Sequence, residues 1–313
     1  MLGFETSDDA AVYKINDTQA AVLTVDFFTP IVDDPYDFGR VAAANSLSDI
    51  YAMGAKPHVV LNLLAFPCKL GPKIIGAVLQ GANEVVRQAG AITMGGHTVE
   101  DKEPKFGLSC FGLIDSDKIV LNKGAEDGDY LYLTKNLGTG IMTTALKRSL
   151  ISEEELKPVV ESMATLNKEA SEAMLKAEVH AGTDVTGFGL AGHLHEMCEA
   201  SGLGAELSFS SLPLFEGVKD FAQQGVCPGK TSEMKSWADQ FLTYNTSQIT
   251  QDEFQWMSTI LCDPQTSGGM LVAIAPDKAQ IFEETYAQLS AKKAWRIGRI
   301  TNKLDAGCIS LVQ

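Results

Sequence analysis

Apolar and polar positions along the chain fall into alternating short and long periodic segments. "AAVYKI" and "AAVLTVDFF" have the β-branched and aromatic content of strands, separated by the turn "NDTQ". The second is a continuous apolar run, as expected of a strand buried on both faces. "DDPYDFGRVAAANSLSDIYAMGAKP" predicts a helix, with Asp37 as its N-cap, Gly54 as its C-terminal stop and Pro57 just beyond. "HVVLNLLAF" predicts a strand, and "GPKIIGAVLQGANEVVRQAG" an amphipathic helix ending at Gly90. "AITMGGHTV" and "KFGLSCFGLI" predict two more strands. The polar, turn-rich "DSDKIVLNKGAEDGD" reads as a boundary, giving domains over 1–122 and 123–313. Beyond it come a strand "YLYLT", a turn "KNLGTG", the helix "IMTTALKRSL" and a mostly helical "SEEELKPVVESMATLNKEASEAMLKA". "HAGTDVTGFGLAGHLHEMCEASG" then reads as a short strand leading into a helix. The pattern predicts two α+β domains.

Length and charge narrow the picture. A chain of 313 residues suits two domains, and 45% hydrophobic residues supply their cores. No apolar run is long enough to span a bilayer, and the first residues lack the basic and apolar regions of a signal peptide. The expected location is the cytoplasm. The formal net charge of −15 leaves no basic face for a nucleic-acid backbone. Six scattered cysteines with no CxxC fit neither a disulfide framework nor a zinc site, and most are expected to be small buried residues.

Three tempting motifs fail on spacing. "GVCPGKTSEM" has three residues between Gly225 and Gly229 where a P-loop has four, so a surface turn is expected. "GTGIMT" lacks the third glycine of a dinucleotide fingerprint and reads as a strand-to-helix turn. His193 and His195, two apart on a helix, point to different faces and form no metal pair; one is expected at the surface, one half-buried.

The aspartates carry more. Asp9 opens a strand, Asp26 ends the run "VLTVD", and Asp184 lies in "AGTDVTGFG". Asp49 sits within a helix of small residues, four after Asn45 and so on its face. Singly, Asp8, Asp37 and Asp184 could be caps or turn residues. Asp49, in mid-helix, is no cap. As a set, these acids beside apolar sequence favour a hard cation such as magnesium shared with substrate phosphates. The glycine pair of "MGGHTVE" allows close backbone approach, "TGFGL" offers N–H groups at a helix start, and "DPQTSGG" adds a glycine-rich turn.

At these residues the chain resembles the selenophosphate synthetases, also called selenide, water dikinases. The matching stretches run in family order from "SDDAAVY" through "TVDFFTPIVDDPYDFGRVAAANSLSDIYAMGAKP", "QAGAITMGGHTVEDKEPKFGL", "LTKNLGTGIMTTA" and "TDVTGFGLAGHLHEMC" to "LCDPQTSGG". The resemblance implies the two-domain fold of aminoimidazole ribonucleotide synthetase, a homodimer built on the N-terminal sheet domain, and conversion of ATP, selenide and water to selenophosphate, AMP and phosphate. It places Asp9, Asp49 and Asp184 on magnesium-binding aspartates. It places Thr6, Ser7, Asp8, Asp26 and Asp49 in the ATP site, with Gly96, His97 and Thr98 on a nucleotide-contacting loop that in this family can reach across the dimer.

The family also carries, ahead of "SDDAAVY", a cysteine or selenocysteine nucleophile and a lysine. Neither occurs in this sequence before Asp8, so the chain is expected to bind ATP yet form no selenophosphate, and no catalytic residue is assigned within it. Two alternatives stay open: a relative acting on a carbon substrate, which would release ADP, and a non-catalytic nucleotide-binding subunit.

Overall fold

The computed structural model describes residues 8–313. Thr6 and Ser7 therefore lie outside the described residues. Among the described residues, twelve strands form two sheets. The first uses β1 (Ala11–Lys14), β2 (Gln19–Phe28), β3 (Lys56–Phe66), β4 (Ile92–Glu100) and β5 (Lys105–Asp115), in the order β1-β2-β5-β3-β4. All its pairs are antiparallel except β3–β4. The second uses β6 (Tyr130–Leu133), β7 (Ala181–Asp184), β8 (Gly204–Ser208), β9 (Leu242–Tyr244), β10 (Met270–Ile274), β11 (Trp295–Thr301) and β12 (Ile309–Val312), in the order β7-β10-β6-β11-β8-β12-β9. The helices are α1 (Pro35–Ala52), α2 (Gly71–Gln88), α3 (Thr139–Lys147), α4 (Glu153–Ala164), α5 (Lys168–Ala177), α6 (Gly189–Ser201), α7 (Val218–Gln223), α8 (Gly229–Ala238), α9 (Gln251–Leu261) and α10 (Ala279–Ser290).

Helix α1 is the centre of the molecule. Every residue from Phe38 to Ala52 except Arg40 is buried. A helix that is apolar or small all round belongs inside a protein. It packs on β2 and β5 of the first sheet, on α2, and on α4, α5 and β7 of the second half. Arg40 forks onto Glu161 of α4, at 2.8 and 2.7 Å. Asn167 donates to Ser48 at 2.8 Å, and Ser171 to the Tyr51 carbonyl at 2.6 Å. One helix thus ties both sheets together.

Its start corrects the sequence reading. Asp34, not Asp37, is the N-cap: its carboxylate accepts from the Asp37 N–H at 2.9 Å, and Pro35 follows at the first helical position. Proline at that position loses no hydrogen bond, so it fixes the helix start two residues before Asp37.

A second correction concerns β2. Only one of its faces is covered in this chain. Leu23, Val25 and Phe27 are exposed, the last two by more than half, and Tyr13 and Leu61 share that face by register. The cysteines divide evenly: Cys110, Cys198 and Cys262 are buried, the other three reach solvent, and all are free thiols.

The crossing of α1 and α2 rests on two glycines. A Cβ on Gly39 would stand 2.0 Å from the Val78 carbonyl oxygen, and one on Gly81 2.0 Å from that of Tyr36. Overpacking of this kind costs about 1–3 kcal/mol or more. Gly81→Ala should therefore lower the thermal midpoint by several degrees, measured by scanning calorimetry, whereas an unchanged midpoint would show that the helices are free to separate.

Candidate active site

Four carboxylates converge where α1 meets the two sheets. Asp9, just before β1, accepts from the Thr183 hydroxyl at 2.7 Å. Asp26 comes from β2, Asp49 from α1 and Asp184 from the end of β7. Thr24 donates to Asp49 at 2.5 Å. Asn45, one turn before Asp49, donates to Asp26 at 3.3 Å. Alternation on β2 puts Thr24 and Asp26 on the helix-covered face, and 3.6-residue periodicity puts Asn45 and Asp49 on the matching helix face. Asp26 lies inside β2, which continues to Phe28, and does not end it.

The electrostatics of this cluster are adverse without a cation. Burial, then the Asp184 charge, lifts the Asp9 carboxyl well above the ordinary range. Burial and then Asp184, Asp26 and Asp9 do the same to Asp49. Asp26 is raised to about 6 by burial and by Asp184. Burial also raises Asp184, while a hydrogen bond from Ser48 and the charge of Lys135 pull it back. One carboxylate oxygen on each of Asp9 and Asp184 is buried with no partner. Buried charges of one sign persist only when neutralised by protons or by a bound cation.

The donor set fits a hard divalent cation. All candidate ligands are carboxylate oxygens, and two of them are orphaned. Among the described residues no three acidic, histidine or cysteine side chains enclose a metal by themselves. Magnesium usually binds through one or two carboxylates and completes its shell with water and phosphate, so an ion here would be shared between these aspartates and a substrate.

The other sequence candidates divide. Asp8 accepts from the Asn122 N–H at 3.1 Å, at the edge of the cluster. Gly96, His97 and Thr98 are not brought to it. They lie on β4, three strands from β2, which is roughly 14 Å by ordinary strand spacing. Gly96 is needed for strand pairing: a Cβ there would stand 2.2 Å from the Asn62 carbonyl oxygen. His97 shares the exposed apolar face with Leu61, while Gly96 and Thr98 lie on the other.

The glycine turns have internal partners. The helix start of "KNLGTG" is filled from within: Gln265 accepts from the Gly138 and Thr139 N–H groups at 3.0 and 3.2 Å, and Asp263 from Gly140 and Ile141 at 3.1 and 3.2 Å. It is a strand-to-helix turn, as its spacing indicated. In "TGFGL", the Thr186 N–H donates to His193 and the Gly189 N–H to the Thr186 carbonyl, so those two are already used. "GVCPGKT" follows helix α7 rather than a strand and opens α8. His193 and His195 serve packing. Burial and then Lys230 lower the His193 pKa to about 4, and His195 stacks on Phe241 at 3.8 Å. Neither is at the surface, contrary to expectation for one of them.

Sequence reasoning missed Lys135. It follows β6, is buried, and carries the positive charge that acts on Asp184. A lysine directly after the apolar run "YLYLT" was the available signal.

Comparison with known proteins agrees with this architecture. The pattern described as AIR synthase related protein, N-terminal domain, matches residues 7–114, and its C-terminal counterpart residues 126–308. Among solved structures, hydrogenase maturation protein HypE in complex with ATP superposes with a TM-score of 0.73 at 17% identity, covering 97% of this chain and 84% of that one. Thiamine monophosphate kinase from Aquifex aeolicus gives 0.70 at 16%, covering 97% and 90%. At such identities they establish the fold alone, an α+β fold of the aminoimidazole ribonucleotide synthetase type. The selenide, water dikinase of Carboxydothermus hydrogenoformans is 48% identical over 301 residues, 96% of this chain and 86% of that protein. That of Caldanaerobacter subterraneus subsp. tengcongensis is 45% identical over 308 residues, 97% and 87%. With matches of this depth across nearly its whole length, the chain belongs to the selenide, water dikinase family.

Proposed function

We propose that this protein is a phosphotransferase whose reaction converts ATP, selenide and water to selenophosphate, AMP and phosphate, with the metal and nucleotide site in the described residues and no selenium-carrying nucleophile assigned among them. The observation that carries the proposal is the buried four-aspartate cluster in a chain 48% identical to a selenide, water dikinase. Asp9, Asp49 and Asp184 would hold magnesium, which supplies positive charge against the phosphates. The protein's own part is positioning. Thr183 and Thr24 fix the carboxylates of Asp9 and Asp49. Asn45 orients Asp26 beside the nucleotide, and Asp8, with Thr6 and Ser7 before it, lies along the same nucleotide-binding stretch.

The proposed assembly is a homodimer through the open face of the first sheet. Tyr13, Leu23, Val25, Phe27, Leu61 and Ile92 expose a contiguous apolar surface, of the kind that marks an interface. His97 shares this face and would meet the partner's nucleotide there, with Gly96 and Thr98 flanking it on the opposite face of the same strand. The proposed domains are 1–122, for ATP binding and dimerisation, and 123–313. The proposed location is the cytoplasm. Six free thiols suit a reducing compartment, and no helix among the described residues is long and apolar enough to cross a membrane.

Asp49→Asn and Asp184→Asn should each weaken magnesium-dependent ADP binding at least tenfold by titration calorimetry, and EDTA should do the same to the unaltered chain. Retained affinity in either case would falsify the metal assignment. Light scattering should give twice the chain mass of 33.6 kDa, and Phe27→Asp should give a monomer; a monomeric unaltered chain at micromolar concentration contradicts the interface. The raised carboxyls also set a pH dependence. Their folded pKa values exceed the unfolded ones, so the stability these carboxyls contribute without metal is full below about pH 4 and falls as pH rises, for Asp26 through about 6. Magnesium with ADP should flatten that fall. A metal-free melting temperature that follows the same pH course in the unaltered chain and in Asp26→Asn contradicts the charge account.

A further inference from the structure

Ser267, in the "DPQTSGG" turn, holds an unusual backbone. Its φ is +47°, in the left-handed region that a residue with a Cβ seldom adopts. Such strain persists only where the surroundings enforce it, and it clusters at functional sites. Here both sides of the residue are pinned. Its N–H donates to Asn45 at 2.9 Å, and its carbonyl accepts from the Lys135 ammonium at 2.9 Å. Lys135 donates a second bond to the Thr165 carbonyl, at 2.6 Å. The next carbonyl, of Gly268, accepts from Asn167, which also donates to Ser48. Ser48 in turn bonds Asp184, and Asn45 bonds Asp26. The turn is therefore joined to two members of the carboxylate cluster. The Ser267 hydroxyl is buried with no partner, so the turn presents an unused polar group.

Lys135 is the charged member of this network. It is only 6% exposed, and burial, then the charge of Lys292, lowers its pKa to about 7, while Asp184 and Glu169 pull it back up, so the ammonium form belongs to the pH range below that value. A lysine taken from water to bond two carbonyls is a costly way to hold a turn. When protonated, its charge also stabilises the ionised form of Asp184, one member of the carboxylate cluster.

We propose that Lys135 is the internal cation of this site and its positioning residue: it fixes the Ser267 turn against Asn45 and Asp26 and offsets the carboxylates, so that a divalent cation and a polyphosphate are accepted together. The proposal rests on the nucleotide-site reading above. It also separates two affinities. Loss of the ammonium leaves the carboxylates more negative, which favours a bare metal ion. The same loss frees the turn and removes positive charge, which disfavours the anionic metal–nucleotide complex.

The test uses Lys135→Met, with manganese alone followed by electron paramagnetic resonance and Mg·ADP followed by calorimetry. Manganese affinity should stay equal or rise severalfold, while Mg·ADP affinity falls at least tenfold. In Lys135→Ala, ethylammonium should restore Mg·ADP binding at least threefold, and ethanol should not. A general loss of structure would lower both affinities together, and that outcome, or Mg·ADP binding within twofold of the unaltered chain, overturns the proposal. If Lys135→Met does not fold, the Lys135→Ala pair decides, and failure of ethylammonium to distinguish itself from ethanol counts against the role. An unaltered chain that binds manganese but no Mg·ADP sinks the nucleotide reading instead, and the manganese comparison alone then judges the charge-offsetting claim.

Discussion

Burial of four like charges around one helix is the constraint on which this structure turns. Taking a carboxylate out of water costs several kcal/mol even after relaxation. Asp9, Asp26, Asp49 and Asp184 meet that cost at one point, and each raises or feels the others. Helix α1 can carry Asp49 there because its flanks are alanine, serine and asparagine, small enough for two sheets to close on it. The rest of the fold supplies the opposing walls. Strand β2 brings Asp26, β7 brings Asp184, and the segment before β1 brings Asp9. Protons or a bound cation must settle the charge, and the orphaned oxygens of Asp9 and Asp184 are where a cation gains most.

The same constraint explains what lies around the cluster. Thr24, Asn45, Ser48 and Thr183 each donate to a carboxylate and fix its rotamer. By contrast, the helix start at α3 is closed by Asp263 and Gln265 from the chain itself. An occupied helix terminus cannot cradle phosphate. The aspartate cluster, with its unpartnered oxygens on Asp9 and Asp184, attracts cations, and an anion can approach it only together with a bound cation.

Much of this was legible in the sequence because the signals were local. A mid-helix aspartate among small residues, four after an asparagine, has few explanations besides a site, and Asn45 and Asp49 do share the face that meets Asp26. Strand and helix types followed from periodicity. What escaped was non-local. The helix cap moved from Asp37 to Asp34 because Pro35 fits only the first turn. The run "AAVLTVDFF" looked buried on both faces, yet Val25 and Phe27 stand open because an apolar strand does not reveal whether its cover lies within the same chain. Gly96 also makes a close strand contact with Asn62, which the glycine pair alone did not reveal. Lys135 was missed because lysine after a strand is ordinarily a surface residue. Its role depends on Thr165 and Ser267, 30 and 132 positions away.

The central claim is that burial and mutual repulsion raise the proton affinity of these carboxylates, so that a metal binding with its nucleotide competes with protons. Proton exchange on binding tests it most directly. Calorimetric titration of Mg·ADP near pH 6, repeated in buffers of different ionisation enthalpy, counts the protons exchanged, because raised carboxyls must give them up to the metal. The account predicts net proton release that declines as pH rises. Binding heats that are independent of buffer, or net proton uptake, would contradict it.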